Sequence, residues 1–203
     1  MARIMTIDIN KVSNLREAVS KAAFSGAVAI DLGCGRKKTP GTIGIDRTSF
    51  EQTDIVTDLE SQPLPFKDDY VDLIWADQVI EHINNFIPLM KEIHRVLKPG
   101  GQFIAKTPYF RSAYSVVDPT HVRQFSIMSM DYYVHSKYLF DQYRFFEPGF
   151  TSLKVKLDSD RGLLTNFISE LVSRRAIANP RNYENTFISF LLPFSSITYS
   201  LEK

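Results

Sequence analysis

The sequence predicts an α/β fold built on a mostly parallel sheet, and three observations support that prediction. Residues 27–32 form a short, continuous apolar run, which is typical of a strand buried on both faces of its sheet. Apolar side chains in residues 86–97 recur at the helical spacing and mark one face of an amphipathic helix. Segments of these two kinds alternate along the chain, which favours parallel strands joined by right-handed helical crossovers.

The elements follow one another in a regular order. Apolar residues at helical spacing predict a first helix, with Asn14 and Glu17 as a capping box at its start. The second helix is predicted to stop at residues 98–101, KPGG, because glycine provides a left-handed cap. A later helical stripe covers residues 163–172. Strands are predicted at residues 27–32, 42–46, 70–75, 102–107, 153–157 and 197–201.

Length and composition narrow the class of protein. The 203 residues, 44% of them hydrophobic, suit a single domain with a substantial core, residues 1–203. A net charge of +1 without a basic face makes nucleic acid an unexpected partner. The single cysteine, Cys34, excludes an internal disulfide framework and fits a reducing compartment. No signal peptide and no apolar stretch of about 20 residues is visible, so we expect a cytoplasmic protein without a transmembrane segment.

Small or polar residues follow each of the predicted central strands. Ligands bind beyond the carboxyl ends of strands in open parallel sheets, which makes these positions the candidate site. Glycines there let the backbone turn sharply and approach a ligand, and an acid ending the second strand can accept hydrogen bonds from both hydroxyls of a ribose. The candidate residues are Asp31, Gly33, Cys34, Gly35, Asp46, Asp58, Leu59, Ala76 and Asp77.

These residues lie in motifs that resemble a known family. The segments VAIDLGCG, IGID, TDLESQPLPFKDDYVDLIWADQVIEHI and RVLKPGGQFIAKTP occur in the order found in class I S-adenosylmethionine-dependent methyltransferases, and they resemble the small, type 11 members. The resemblance implies a Rossmann-like, mostly parallel seven-stranded sheet with helices on both faces and an antiparallel last strand. It also implies a methyl donor, S-adenosylmethionine, bound by residues 28–108, with residues 109–203 forming the acceptor site and closing the fold.

The resemblance also implies which residues meet the cofactor. It places the methionine end of the cofactor at Asp31, Gly33, Cys34 and Gly35, the ribose hydroxyls at Asp46, the adenine at Asp58 and Leu59, and the amino group at Ala76 and Asp77. Cys34 is expected to be a small buried residue of this loop rather than a nucleophile.

The loop after the first strand departs from the family pattern. Only seven residues separate Gly35 from Ile43, which leaves no room for the usual helix, and Lys37 stands where a third glycine is common. Without that helix its N-terminal dipole is lost as well. Because pyrophosphate binding relies on such a helix N-terminus, the gap disfavours a nicotinamide-dependent oxidoreductase, the first alternative. A non-catalytic S-adenosylmethionine-binding or scaffold protein is the second.

Several polar residues are candidates for chemistry at the acceptor. His121 with Asp118 is the best candidate for a general base and its orienting carboxylate, although both could instead brace a loop. Glu81 and His82 are interpreted as structural, and His94 as a surface residue of its helix. No pair of histidines has the spacing of a metal site.

The acceptor itself is only broadly indicated. Aromatic side chains concentrate in residues 109–146, where they form either a lid over the acceptor or ordinary core. The apolar face of residues 163–172 could cover the pocket, the core or a second subunit in a homodimer. We expect a small molecule, or a glycan or lipid precursor, as the methyl acceptor.

Overall fold

The computed structural model describes residues 6–147, 149–159, 163–191 and 194–203, and only the backbone of residues 163–167. Seven strands form one sheet. They are β1 (Ala29–Leu32), β2 (Ile43–Asp46), β3 (Ile55–Val56), β4 (Val71–Asp77), β5 (Leu97–Pro108), β6 (Ser152–Asp158) and β7 (Ser196–Glu202).

The strand order confirms the predicted fold class. Across the sheet the order is β3-β2-β1-β4-β5-β7-β6. The pairs among β1 to β5 are parallel, and β7 lies antiparallel between β5 and β6. The order therefore reverses at β1, whose carboxyl end is where a ligand is expected to bind in such a sheet.

Helices cover both faces of the sheet. Helix α1 (Leu15–Phe24) packs on one face, against Leu73 and Trp75 of β4, and helix α2 (Phe86–Val96) packs on the other, against Ile74. Successive residues of a strand point to opposite faces, so β4 contributes to both cores. The remaining helices are α3 (Tyr114–Val117), α4 (Tyr138–Tyr143), α5 (Leu163–Ala178), α6 (Pro180–Glu184) and α7 (Ile188–Leu191).

The start of α1 follows the sequence in part. The side-chain oxygen of Asn14 accepts a hydrogen bond from the Glu17 N–H at 3.1 Å, which satisfies one free donor of the first turn. Glu17 does not complete the predicted box by bonding back, because its carboxylate pairs instead with Lys21 at 2.6 Å. Helix α1 therefore has a capping residue rather than a reciprocal capping box.

Two features of the sheet differ from the prediction. Strand β3 is only two residues long, which is too short to leave a periodic pattern. Strand β5 starts at Leu97, so the KPGG segment extends the strand instead of ending in a turn before it. The register shifts at Val71 opposite this segment, and a Cβ on Gly101 would lie 2.8 Å from the Lys98 carbonyl oxygen. The glycines therefore permit a bulge that keeps the strand paired.

The prediction for His94 is wrong. Its side chain is 7% exposed, its Nε2 lies 3.1 Å from the Gly149 carbonyl oxygen, and its ring contacts Phe146 and Phe150. This burial lowers the pKa of His94. Phe146, Gly149 and Phe150 cover this side of α2, a long-range contact that the helical pattern alone does not reveal.

Helix α5 extends the predicted stripe to Ala178. Val172 and Ala176 pack on the main core, whereas Ile168 and Leu171 are exposed, so the stripe is only partly a core face. Within the described residues, no helix is both long enough and apolar enough to cross a membrane.

Candidate functional site

A cleft of about 1070 Å³ lies beyond the carboxyl ends of the central strands. Its lining includes four of the predicted cofactor residues, namely Gly33, Asp46, Asp58 and Leu59. It also includes Gln78, Val79, His82, Thr120 and Val122. The cleft therefore joins the end of β1, the end of β2 and the loop after β3 to residues that follow β4 and to the 118–122 loop.

Gly33 keeps the floor of the cleft open. Its φ of +66° is in the left-handed region, and a Cβ there would lie 2.5 Å from Cγ2 of Val79. Any other residue at this position would need a strained backbone and a displaced valine. The predicted glycine loop is thus required by backbone geometry and by a close approach to Val79.

Asp46 ends β2 with its carboxylate held in place by the backbone. Oδ2 accepts a hydrogen bond from the Gly35 N–H at 2.9 Å, and Oδ1 accepts one from the Thr48 N–H at 2.9 Å. Since a carboxylate has about four acceptor positions, both oxygens keep capacity for donors from the cleft. The residue thereby couples the loop after β1 to the end of β2.

Asp31 and Cys34 lie beneath the glycine loop rather than in the cleft lining. Asp31 is buried, and its Oδ2 accepts a hydrogen bond from the Thr39 N–H at 2.6 Å, which ties down the short loop between β1 and β2. Burial raises the pKa of Asp31 and also that of the Cys34 thiol. A thiol with a raised pKa is a weak nucleophile, which agrees with a packing role for Cys34.

Arg16 joins three parts of the site and is missing from the sequence prediction. From α1 its guanidinium donates to the Lys37 carbonyl oxygen and lies 3.5 Å from Oδ2 of Asp77 at the end of β4. Ala76, the neighbour of Asp77, is fully buried between β1 and β5. Arg16 carries no local signal, since it stands on the polar side of a helix far from Asp77 in sequence.

The loop after β3 is held by its own carboxylates. The pKa of Asp58 is lowered, mainly because its carboxylate accepts the Glu60 N–H at 3.0 Å and the Ser61 hydroxyl at 2.8 Å. Glu60, also missing from the prediction, accepts the backbone N–H groups of Asn84 at 2.6 Å and Asn85 at 2.8 Å. The loop after β3 is therefore linked to Asn84 and Asn85 at this end of the cleft.

Glu81, His82 and His121 come together at the other end. One potential ligand atom from each residue lies within 4.8 Å of the others, and the two imidazole rings are 4.7 Å apart. Glu81 is 1% exposed, and its Oε2 accepts a hydrogen bond from the Thr107 hydroxyl at 3.0 Å. Burial raises the pKa of Glu81. The spacing of these residues along the chain does not reveal this cluster, because the 118–122 loop reaches it only in the folded chain.

The predicted acid–base pair is not hydrogen-bonded. Nε2 of His121 lies 4.0 Å from Oδ2 of Asp118, beyond hydrogen-bond distance. Asp118 instead accepts the Thr120 N–H at 2.8 Å and the Thr120 hydroxyl at 2.6 Å, which closes the turn. In this geometry Asp118 braces the loop, and the His121 ring lies beside Glu81 and His82.

The aromatic stretch divides between core and surface. Tyr109 is fully buried, and its hydroxyl donates to Oε1 of Glu184 at 2.9 Å. The buried aromatics of the stretch are Tyr109, Phe125, Tyr133, Phe140 and Phe146, and the exposed ones are Tyr114, Tyr138, Tyr143 and Phe145. Much of the predicted lid is therefore core.

The sequence is similar to methyltransferases over part of its length. Residues 39–105 match the family described as a methyltransferase domain. The chain is 47% identical over 45 residues to a sterol 4-C-methyltransferase of Caenorhabditis elegans, covering 22% of this chain and 14% of that protein. It is 34% identical over 59 residues to a dimethylglycine N-methyltransferase of Parasynechococcus marenigrum, covering 29% of this chain and 21% of that protein. The matches thus span less than a quarter of either relative.

Solved structures share the whole fold. An S-adenosylmethionine-dependent methyltransferase from Archaeoglobus fulgidus aligns over 93% of this chain and 94% of its own, with a TM-score of 0.59 and 20% identity. The chain is therefore similar to methyltransferases, in sequence over residues 39–105 and in fold over most of its length.

The proteins that this chain is similar to use S-adenosylmethionine as cofactor, and the residues of the cleft fit that group. The absent Cβ of Gly33 leaves space beside Val79 that any larger residue would fill. Asp46 and Asp58 present carboxylates to the cleft, as donors on a nucleoside require. The loop between β1 and β2 contains no helix, as the sequence predicts, so the chain lacks the helix N-terminus on which a pyrophosphate relies.

Proposed function

We propose that this chain is a methyltransferase, which transfers the methyl group of S-adenosylmethionine to a small-molecule acceptor in the cleft at the strand ends. The observation that carries the proposal is the cleft itself. Gly33, Asp46, Asp58 and His82 all line it. The acceptor is expected to be a small molecule or a glycan or lipid precursor, bound by residues 109–150 and parts of 163–183.

The proposal divides the cofactor residues into two groups. Gly33, Asp46, Asp58 and Leu59 line the cleft and are assigned direct contact with the cofactor. The others act by shaping the loops: Asp31 and Cys34 support the glycine turn, Gly35 is fixed by Asp46, and Ala76 and Asp77 are held by the sheet and by Arg16.

Methyl transfer requires mainly that the acceptor be aligned with the methyl group of the donor. When bound, S-adenosylmethionine supplies a methyl group already activated by its sulfonium. The residues of the chain then need to hold that group in line with the acceptor, and such positioning can supply roughly 7–11 kcal/mol. His82, Thr120 and His121 form the part of the site assigned to the acceptor, with Asp118 bracing their loop.

Calorimetric titration with S-adenosylmethionine, S-adenosylhomocysteine and NAD tests the proposal. Binding of the first two with 1:1 stoichiometry and no binding of NAD supports it. Binding of NAD alone would make the chain an oxidoreductase in this fold. Binding of none of the three would overturn the methyltransferase proposal and favour a scaffold.

The Asp46→Ala variant tests whether the ribose of the cofactor binds at Asp46. Hydrogen bonds to a charged group contribute about 1.5–3 kcal/mol each, so the variant should bind S-adenosylhomocysteine roughly 10–100-fold more weakly. Asp69→Ala is the matched control, because Asp69 pairs with Lys203 on a surface remote from the cleft. Equal affinities of the two variants would place the ribose elsewhere.

A further inference from the structure

Three side chains that can each offer a metal-ligand atom come together beside the cleft. The cluster consists of Glu81, His82 and His121, with one potential ligand atom of each within 4.8 Å of the others. The carboxylate of Glu81 is 1% exposed, and its Oε1 has no hydrogen-bond partner among the described residues. Burying a carboxylate oxygen without a partner destabilises the fold by several kcal/mol, and a cation bound at Glu81 would offset this loss.

The hydrogen bonds of the imidazoles determine which nitrogens are free. Nδ1 of His121 lies 3.3 Å from the Ser115 carbonyl oxygen, and Nδ1 of His82 lies 3.3 Å from the Thr120 carbonyl oxygen. A carbonyl oxygen can only accept, so both Nδ1 atoms carry the proton and donate it. Nε2 of each neutral ring therefore keeps its lone pair. Donation from the second ring nitrogen to a carbonyl is also how metal-bound histidines are usually oriented.

A second group fixes the orientation of His82. The Thr120 hydroxyl oxygen lies 2.9 Å from Nδ1 of His82 and donates its own proton to Asp118 at 2.6 Å. The hydroxyl is thus available as an acceptor for the same Nδ1–H. Asp118, Thr120 and His82 form a chain of carboxylate, hydroxyl and imidazole that supports the free Nε2. On Glu81, the Thr107 hydroxyl similarly occupies Oε2 and leaves Oε1.

We propose that Glu81, His82 and His121 bind a divalent transition-metal ion at the acceptor end of the cleft, where the ion holds a hydroxyl oxygen of the acceptor. Two imidazoles and one carboxylate suit ions such as Fe²⁺, Mn²⁺, Co²⁺ or Zn²⁺, and such a set leaves coordination positions open. The three potential ligand atoms already lie within 4.8 Å of one another, and a bound ion would draw them to bond lengths of about 2.0–2.2 Å. His82 also lines the cleft, so the cluster adjoins the space assigned to the methyl donor.

The inference rests on the proposed methyltransferase function and narrows its acceptor to an oxygen nucleophile. The metal ion acts as a Lewis acid that makes the hydroxyl more acidic. The hydroxyl loses its proton to water, its oxygen forms the bond to the methyl carbon, and the carbon–sulfur bond breaks with its electron pair left on sulfur. His121 then serves as a ligand, which replaces the general-base role that its sequence context predicts.

Titration of the chelator-treated protein with Co²⁺, followed by visible absorption, tests the site. We expect one saturable ion per chain, with the spectrum of a nitrogen- and oxygen-ligated ion. Glu81→Gln keeps an acceptor for Thr107 and removes the charge, and His121→Asn removes one ligand. Each should weaken Co²⁺ binding by at least about tenfold, since loss of even an indirect partner costs about 10–100-fold. His135→Asn, at an exposed histidine outside the cluster, should leave the affinity unchanged.

Titration of the same samples with S-adenosylhomocysteine separates the two proposals. Cofactor binding without saturable Co²⁺ binding to the wild-type chain overturns the metal site and leaves the methyltransferase function standing. Co²⁺ affinities that are equal in wild type, Glu81→Gln and His121→Asn also overturn it. Co²⁺ binding that depends on the cluster in a chain that binds no cofactor supports the site and overturns the function. Cofactor affinity retained in both variants shows that they are folded.

Discussion

Replacing Gly33 with alanine adds one methyl group at the most constrained point of the cleft. The backbone there has a φ of +66°, and the new Cβ would lie 2.5 Å from Cγ2 and 2.8 Å from Cγ1 of Val79. Two separate costs follow. An L-residue in the left-handed region costs roughly 1–2 kcal/mol, and forcing a methyl group into a packed site costs roughly 1–3 kcal/mol. We expect Gly33→Ala to lower the free energy of unfolding by about 2–5 kcal/mol.

A double-mutant cycle separates these two costs. Val79→Ala removes both atoms that the new Cβ meets most closely and leaves the Cβ of residue 79 at 3.3 Å. In the Val79→Ala background, Gly33→Ala should therefore cost only the backbone part, about 1–2 kcal/mol. Val79→Ala alone loses two buried methyl groups, about 0.8 kcal/mol each.

Urea unfolding of the four proteins measures the cycle. A coupling energy of about 1 kcal/mol or more between the two positions is expected, because the clash exists only when both larger side chains are present. Additivity within about 0.5 kcal/mol would show that Gly33 and Val79 are not in contact and would refute this placement of the glycine loop.

Three further predictions concern stability. Asn14→Ala should lower the free energy of unfolding by about 1 kcal/mol, through loss of the α1 cap, and an unchanged urea midpoint would contradict this. Gln102→Leu leaves the buried N–H and C=O of Ile7 unpaired, so it should lower the free energy of unfolding by about 2–4 kcal/mol. It should also make residues 6–9 sensitive to proteolysis. Wild-type resistance to proteolysis in the variant would contradict this. Burial raises the pKa of Glu184, so the folded chain binds its proton more tightly and stability falls as pH rises from the ordinary carboxyl range through the raised pKa. Glu184→Gln keeps Oε1 as acceptor for Tyr109 and should therefore gain stability relative to wild type as the pH rises above the ordinary carboxyl range; a difference that does not change with pH would contradict this.

Local sequence patterns predict most of the strands, and also the two helices that cover the sheet. The apolar run before Gly33 becomes β1 because every residue of Ala29–Leu32 is buried between helices on both faces. The cap at Asn14 and the start of α2 at Phe86 depend on neighbours within one turn, and the structure keeps both. Strand β3 escapes prediction because two residues cannot show alternation.

The parts that the sequence misses depend on long-range contacts. His94 has polar neighbours along its helix, yet Phe146, Gly149 and Phe150 pack against its ring and bury it. Arg16 looks like an ordinary exposed helix residue, and only the fold brings it to Asp77. The cluster at Glu81 arises because the Val122 and Arg123 N–H groups, at the end of the 118–122 loop, donate to the Glu81 carbonyl oxygen at 2.9 Å and 3.4 Å. Each of these contacts joins segments that are far apart in the sequence, so no local periodicity of the sequence reveals it.

A crystal structure of the complex with S-adenosylhomocysteine tests the central claim most directly. We predict that the ligand lies in the cleft, with its ribose hydroxyls within hydrogen-bond distance of the Asp46 carboxylate. We expect the adenine beside Asp58 and Leu59, and the sulfur directed toward His82. Ligand bound outside this cleft, or bound in it with the ribose away from Asp46, would contradict the proposed cofactor site.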